Sequence, residues 1–92
     1  MEVAEYLPYV SNRYTNESDF NNIKKVGSYP FGVSKEGYSN IPNVRSLEGV
    51  LVVIKSVSDL NIYQMYLGVQ DSSIHIRSCY NGVWQGWIKV SA

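Results

Sequence analysis

Apolar and polar residues alternate most clearly in the second half of the chain, beginning near Gly49. Residues 50–57 are dense in β-branched side chains, which favours a strand at the centre of a sheet. Asn81-Gly82 is the strongest two-residue hairpin signal, because both residues tolerate positive φ. The same alternation, interrupted by short polar turns, predicts three further strands over residues 61–69, 74–80 and 83–90. We therefore expect an antiparallel meander of about four strands.

The first half of the chain contains one helix candidate, over residues 16–26. Phe20, Ile23 and Val26 are spaced three apart and share one helical face. Gly27 follows as a stop signal. A helix of two to three turns is too short to be stable alone, so this face is expected to dock on the sheet.

The remaining segments complete a mainly β (small α+β) fold with one short N-terminal helix. Residues 28–31 are predicted to form a short additional strand, and the polar residues 33–45 a long surface loop. Residues 1–15 have no clean period and are expected to be an extended lead-in or the end of a stalk. Residues 16–92 then form a single domain, which suits a chain of 92 residues.

The charge balance and the apolar runs exclude two classes of partner. Eight basic and eight acidic residues give a net charge of zero, which argues against nucleic acid as a ligand. The longest unbroken apolar run, Val50–Ile54, is far too short for insertion into a membrane. With a single cysteine, Cys79, the chain cannot form an internal disulfide, so its stability must come from packing, to which oligomerisation could add.

Asp71, Ser73 and His75 alternate along one predicted strand in the manner of a catalytic triad. Side chains two residues apart on a strand are separated by about 6.5–7 Å, whereas a nucleophile and its base must lie within about 3 Å. We therefore interpret His75 as a surface histidine beside a turn. One histidine and one cysteine are also too few for a zinc site. No catalytic residue, metal ligand or cofactor is predicted.

Trp84 and Trp87 belong to an aromatic concentration near the end of the chain. It could be a sugar-stacking platform, but packing in the core and between subunits is the favoured interpretation. Residues three apart in a regular strand point to opposite faces, so the spacing predicts either a bulge at Gln85-Gly86 or one tryptophan on each face. The second alternative is favoured, with Trp84 in the core. Arg77 could stack on one of these aromatic rings or bind an anionic glycan, although a solvated strand-face arginine is the commoner case.

Several short motifs occur in the order that is typical of phage tail-fibre and pyocin knob domains. The chain resembles this family over about Tyr14–Val90. It departs from the family at Phe20, where leucine is usual, and at the tight turn Asn81-Gly82, where relatives carry longer loops. The motifs are Tyr14-Thr15, Asp19-Phe20-Asn21-Asn22-Ile23, Gly27-Ser28-Tyr29, Asn40-Ile41-Pro42, Gly49-Val50-Leu51-Val52-Val53, Tyr63-Gln64-Met65-Tyr66, Ile74-His75-Ile76-Arg77 and Asn81-Gly82-Val83-Trp84-Gln85-Gly86-Trp87-Ile88-Lys89-Val90.

The resemblance implies a homotrimeric fibre on a virion or a phage-tail-like particle, at or near its host-contacting end. We therefore expect a non-catalytic receptor-binding module that contacts a host cell-surface glycan. A purely structural knob that trimerises or spaces the fibre is the alternative, and a small hydrolase is a third possibility. The lack of a convincing catalytic constellation disfavours the third. The side chains expected to contact a glycan are Tyr38, Asn40, Arg77 and Tyr80. Those expected in the core are Phe20, Ile23, Trp84 and Trp87.

Overall fold

The computed structural model describes residues 14–90, which form one antiparallel β-sheet covered on one side by loops. The strands lie in the order β1-β2-β3-β4-β5, and β6 also pairs with β4. Their bounds are Gly27–Val33 (β1), Leu47–Lys55 (β2), Ile62–Gly68 (β3), Ile74–Tyr80 (β4), Val83–Trp84 (β5) and Ile88–Lys89 (β6). The mainly β, antiparallel prediction is confirmed, but the strand count of four is wrong, because residues 83–90 form two short strands and β1 joins the same sheet. Most of the predicted lead-in over residues 1–15 lies outside the described residues.

The helix predicted over residues 16–26 is also wrong: Phe20–Asn22 form a single 3₁₀ turn instead. The chain before this turn is extended, because Ser18 and Phe20 are hydrogen-bonded to the backbone of Ser39. The amide of Phe20 donates a hydrogen bond to the carbonyl oxygen of Ser39 at 3.1 Å. The amide of Ser39 donates one to the carbonyl oxygen of Ser18 at 2.8 Å. Asp19 caps the turn by accepting a hydrogen bond from the amide of Asn21. This pairing with a distant loop overrides the local helical pattern.

A tight hairpin and a bulge shape the end of the sheet. Asn81 and Gly82 connect β4 to β5, and both have positive φ, as the sequence predicts. Cys79 of β4 pairs with Trp84, and Ile76 of β4 pairs with Ile88. The two paired positions are three residues apart in β4 but four residues apart in the segment that contains β5 and β6. The extra residue is a bulge. The bulge alternative for the tryptophan spacing is therefore correct, and the favoured alternative of one tryptophan on each face is wrong.

The core lies between the loops and one side of the sheet, which we call the first face. Phe20 and Ile23 are buried here, as is Val44 from the loop between β1 and β2. Tyr38 and the two tryptophans are partly buried against the same cluster. The sheet contributes Tyr29, Leu51, Val53, Ile62, Gln64, Tyr66, His75, Arg77 and Cys79 to this face. Five of these nine residues are polar or are tyrosines with a polar hydroxyl, so the core depends on hydrogen bonding as well as on apolar burial.

β2 and β3 approach each other closely where Gly49 lies directly opposite Gly68. A Cβ atom on Gly49 would overlap the carbonyl oxygen of Leu67 and come within 3.0 Å of the Tyr66 hydroxyl. The glycine therefore makes room for the buried Tyr66 side chain. Burial, aided by the charges of Asp71 and Glu48, raises the pKa of Tyr66 to about 12, so its hydroxyl stays protonated.

The opposite side of the sheet is apolar as well. Val52, Met65, Ile76 and Ile88 lie directly opposite one another in a row across β2, β3, β4 and β6. Ile88 is 61% exposed, and the other three are partly exposed. We use the term second face for the apolar surface formed by Val50, Val52, Met65, Leu67, Ile76 and Ile88.

Candidate functional site

Gln64 is the polar side chain at the centre of the first face, and it is fully buried. Its Nε2 donates hydrogen bonds to the carbonyl oxygens of Phe20, at 2.7 Å, and Ile23, at 2.9 Å. Its Oε1 accepts a hydrogen bond from Nε of Arg77 at 2.9 Å. A single amide therefore joins the 3₁₀ turn to β3 and β4.

Arg77 lies directly opposite Gln64 in β4 and is enclosed by the two tryptophan rings. Its Cζ is 4.0 Å from the ring centroid of Trp84 and 4.7 Å from that of Trp87. Both rings reach the same guanidinium because the bulge turns Trp87 to the first face. Nε1 of Trp87 also donates to the carbonyl oxygen of Asn40 at 3.0 Å. We call the group of Gln64, Arg77, Trp84 and Trp87 the arginine clamp.

The clamp holds a buried positive charge. Burial lowers the pKa of Arg77 to about 10, and the negative charge of Asp19 opposes this shift, so the guanidinium is protonated at neutral pH. Its Nη2 has no hydrogen-bond partner among residues 14–90. Contact with the electron-rich faces of two indole rings offsets part of the desolvation cost. Asp19 is itself held ionised, because hydrogen bonds from Asn40 Nδ2, at 2.7 Å, and from the amide of Asn21 lower its pKa.

The four residues expected to contact a glycan do not form one site. Arg77 is 5% exposed, so its placement on a solvated strand face is wrong, and a ligand could reach it only by displacing a tryptophan ring. Asn40 is exposed and links Asp19 to Trp87 at the margin of the clamp. Tyr38 is half-buried, with edge-on ring contacts to Phe20 and Phe31. Tyr80 is 65% exposed on the opposite side of β4.

The residues considered for catalysis are separated by burial. Asp71 is exposed, whereas Ser73 and His75 are buried, which makes the surface placement of His75 wrong. Nδ1 of His75 has no hydrogen-bond partner within the described part of the chain, so it is not linked to Ser73 as base to nucleophile. Burial, followed by the charge of Lys89, lowers the pKa of His75 and keeps the ring neutral. Cys79 is a buried free thiol opposite Trp84.

Residues 14–90 offer neither a metal-binding cluster nor a helix that could cross a membrane. These residues contain no group of three or more histidine, cysteine, aspartate or glutamate side chains that could hold a metal ion. None of the helices in this range is long and apolar enough to cross a membrane.

Sequence reasoning missed the role of Gln64. The signal was the position of Gln64 between Ile62 and Tyr66, where every second residue faces the core. This signal was ambiguous, because the alternate residues Tyr63, Met65 and Leu67 form an equally apolar face on the same strand.

We predict that Gln64→Leu lowers the free energy of unfolding by at least about 2 kcal/mol, because each buried group left unpaired costs about 1–3 kcal/mol. The groups are the carbonyl oxygens of Phe20 and Ile23 and Nε of Arg77. Gln70→Leu makes the same chemical change at an exposed position and should stay within about 0.5 kcal/mol. Urea unfolding followed by tryptophan fluorescence measures both, and equal losses would contradict the role given to Gln64.

His75, the single histidine of the chain, should make stability pH-dependent. Its pKa is lower in the folded chain than the ordinary value of 6.5, so the unfolded chain binds the proton more readily. The contribution of His75 should therefore be fully present well above pH 6.5 and should be lost as the pH falls through 6.5 toward the lower pKa of the folded chain. In urea titrations at several pH values, His75→Gln should flatten this part of the profile. An unchanged slope in that variant would assign the pH dependence to other groups.

Comparison with known proteins supports the fold. No family model and no curated protein sequence matches the chain. Among solved structures it is similar to the P. aeruginosa R1 pyocin fibre, in a structure of the C-terminal residues of that protein, with a TM-score of 0.72 and 22% sequence identity. The match covers 100% of this chain and 24% of the fibre chain, so the present chain spans about a quarter of the length of the chain it matches. The residues 14–90 described above thus have a tail-fibre-like fold.

Proposed function

We propose that this chain is a non-catalytic structural module of a tail-fibre-like protein, and that it packs through its second face against further copies of itself in a homotrimer. The apolar second face is the observation that carries this proposal. The structural likeness to a pyocin fibre supports the fibre context and, with it, a location on the tail of a phage or phage-like particle.

The second face is suited to packing between copies. Its row from Val52 to Ile88 crosses four strands and is about 14 Å long, given a spacing of about 4.8 Å between strands. Full burial of an aliphatic side chain contributes about 1.5–3 kcal/mol. A domain of this size buries a smaller fraction of its surface than a larger domain does, so covering this face in an assembly would add to its stability.

The arginine clamp supports a structural role from the other side of the sheet. The tryptophans that could have formed a sugar-stacking platform pack against Arg77 instead, at 4.0 and 4.7 Å. Both rings therefore enclose a buried charge within the fold.

We expect the chain to self-associate, with light scattering or sedimentation giving a mass of three chains at high concentration. Ile88→Glu should shift the equilibrium to the monomer, because it places a charge on the exposed end of the second face. Met65→Gln tests the centre of the same face with a side chain of similar size. Val57→Glu is the control, since Val57 is 92% exposed in the turn between β2 and β3, away from the second face.

Circular dichroism must show that each variant keeps its sheet. A wild-type chain that stays monomeric at millimolar concentration would contradict the proposal. So would dissociation by Val57→Glu equal to that caused by Ile88→Glu. An alternative is that residues 1–13 of the same chain cover the second face. In that case the chain would be a monomer, and removing residues 1–13 would lower its stability.

Contact with a host cell-surface glycan is a second candidate, favoured by one observation. Tyr63 and Tyr80 are exposed beside a cavity of about 260 Å³, whose lining also includes Asn61, Ser56 and Ser78. Aromatic faces beside hydroxyl and amide groups suit a sugar ring. A single shallow site of this size would bind weakly, and trimeric presentation would raise its avidity.

Cell labelling by the chain fused to a trimeric stem tests this candidate. Tyr80→Ala should reduce labelling about tenfold or more, because three sites lose their stacking surface together. Tyr80→Phe keeps the ring and should retain most of the signal. Labelling that survives Tyr80→Ala would remove this cavity from consideration.

A further inference from the structure

Two adjoining cavities share a pair of lysines. The first, of about 500 Å³, lies beside Tyr14 and Tyr29, and the second, of about 460 Å³, lies beside Lys55. Lys24 and Lys25 line both, so they stand between the two cavities. We call this pair the lysine ridge.

The acidic residues nearby offset the positive charge of the ridge only in part, because the linings of the two cavities hold three lysines (Lys24, Lys25 and Lys55) against two carboxylates (Glu17 and Asp59). Asp59, in the second cavity, forms an ion pair with Lys55 at 3.1 Å. Glu17, in the first, accepts hydrogen bonds from the amide of Asp19 and from Asn22 Nδ2. Within residues 14–90, Lys24 and Lys25 have no ion-pair partner. In a chain of zero net charge, this is a local concentration of positive potential.

The backbone of the ridge is fixed on both sides. The carbonyl oxygen of Ile23 accepts the hydrogen bond from Gln64, and that of Lys25 accepts one from the hydroxyl of Tyr29. Both Ile23 and Tyr29 are buried. The two ammonium groups therefore extend from an anchored segment, which lowers the entropy lost when a ligand binds.

We infer that the lysine ridge binds the phosphate or carboxylate groups of an acidic polysaccharide. Lysine ammonium groups bind such oxygens as point charges, and two cavities side by side suit successive units of a chain better than a single small anion. Tyr14, 87% exposed, offers a face for a sugar ring, and Thr15 and Asn22 add hydroxyl and amide groups.

A nucleic acid fits the same surface less well. Single-stranded nucleic acids bind through a positively charged groove combined with aromatic rings on which successive bases stack. Tyr14 is the one strongly exposed aromatic side chain lining the two cavities, because the other aromatic residue in their lining, Tyr29, is buried.

The site also goes beyond the structural function proposed above. It lies beside the loop layer and not on the second face.

Three polymers with one backbone test the inference: phosphodextran, carboxymethyl-dextran and unmodified dextran, passed over the immobilised 92-residue chain at low and high salt. Phosphodextran, carboxymethyl-dextran or both should bind at low salt, which identifies the preferred anion, and unmodified dextran should not. Lys24→Gln with Lys25→Gln should weaken binding about tenfold or more. The matched control, Arg45→Gln with Lys89→Gln, removes two exposed positive charges outside both cavities and should change the affinity less than about twofold.

Tyr14→Ala should weaken binding of the acidic polymer without changing its salt dependence, because the ring contributes stacking and not charge. The inference is overturned if neither acidic dextran binds, or if both double variants lose affinity equally. It is also overturned if a single-stranded oligonucleotide of equal charge binds more tightly than the acidic dextrans. Each of these outcomes is independent of whether the chain forms trimers, so this inference and the proposed function can fail separately.

Discussion

The hydrogen bonds of Gln64 are the interaction on which the rest of the structure depends. Two backbone carbonyls of the loop layer and the guanidinium of Arg77 meet at this one side chain. A primary amide suits the position because it has both donors and acceptors: its NH₂ group serves the carbonyls, and its oxygen serves the cation. In a low-dielectric core such a network is strong when complete and costly when broken. With one cysteine in the chain, no internal disulfide is available to share this role.

The clamp also explains why residues far apart in the sequence form a connected group. Gln64 requires Arg77 as its donor, and Arg77 in turn requires an environment that tolerates a buried charge. Trp84 and Trp87 supply that environment only because the bulge between β5 and β6 brings both rings to the first face. The bond from Trp87 to Asn40 then ties the long loop to the same unit. The most distinctive motifs of the sequence are thus used to build the fold, and the surfaces left for partners lie elsewhere.

The local pattern of apolar and polar residues predicted the strands well. The predictions failed where contacts between residues distant in the sequence determine the conformation. Residues 74–80 match β4 without error, and the Asn81-Gly82 turn forms as its residue types require. The helix over 16–26 was lost to a backbone pairing with Ser39, which no local pattern reveals. Because both faces of the sheet carry apolar residues, alternation located the strands without showing which face is buried. For the same reason Arg77 and His75 were assigned to the surface, although both are buried on the first face, where Gln64 accepts a hydrogen bond from Arg77.

The second face and the lysine ridge lie on different parts of the molecule, and this separation has a consequence for assembly. The second face belongs to one side of the sheet, whereas Lys24 and Lys25 follow the 3₁₀ turn on the side of the loop layer. An assembly that buries the second face of each copy therefore leaves the lysine ridges accessible. Binding of an anion at one ridge would be weak, since exposed charges are screened by salt and the contact area is small. In the proposed trimer, three ridges would act together on a polymeric anion, because the second and third contacts would form at high effective concentration. Packing through the second face would in this way convert weak binding at each lysine ridge into stable binding of a polymeric anion by the assembly.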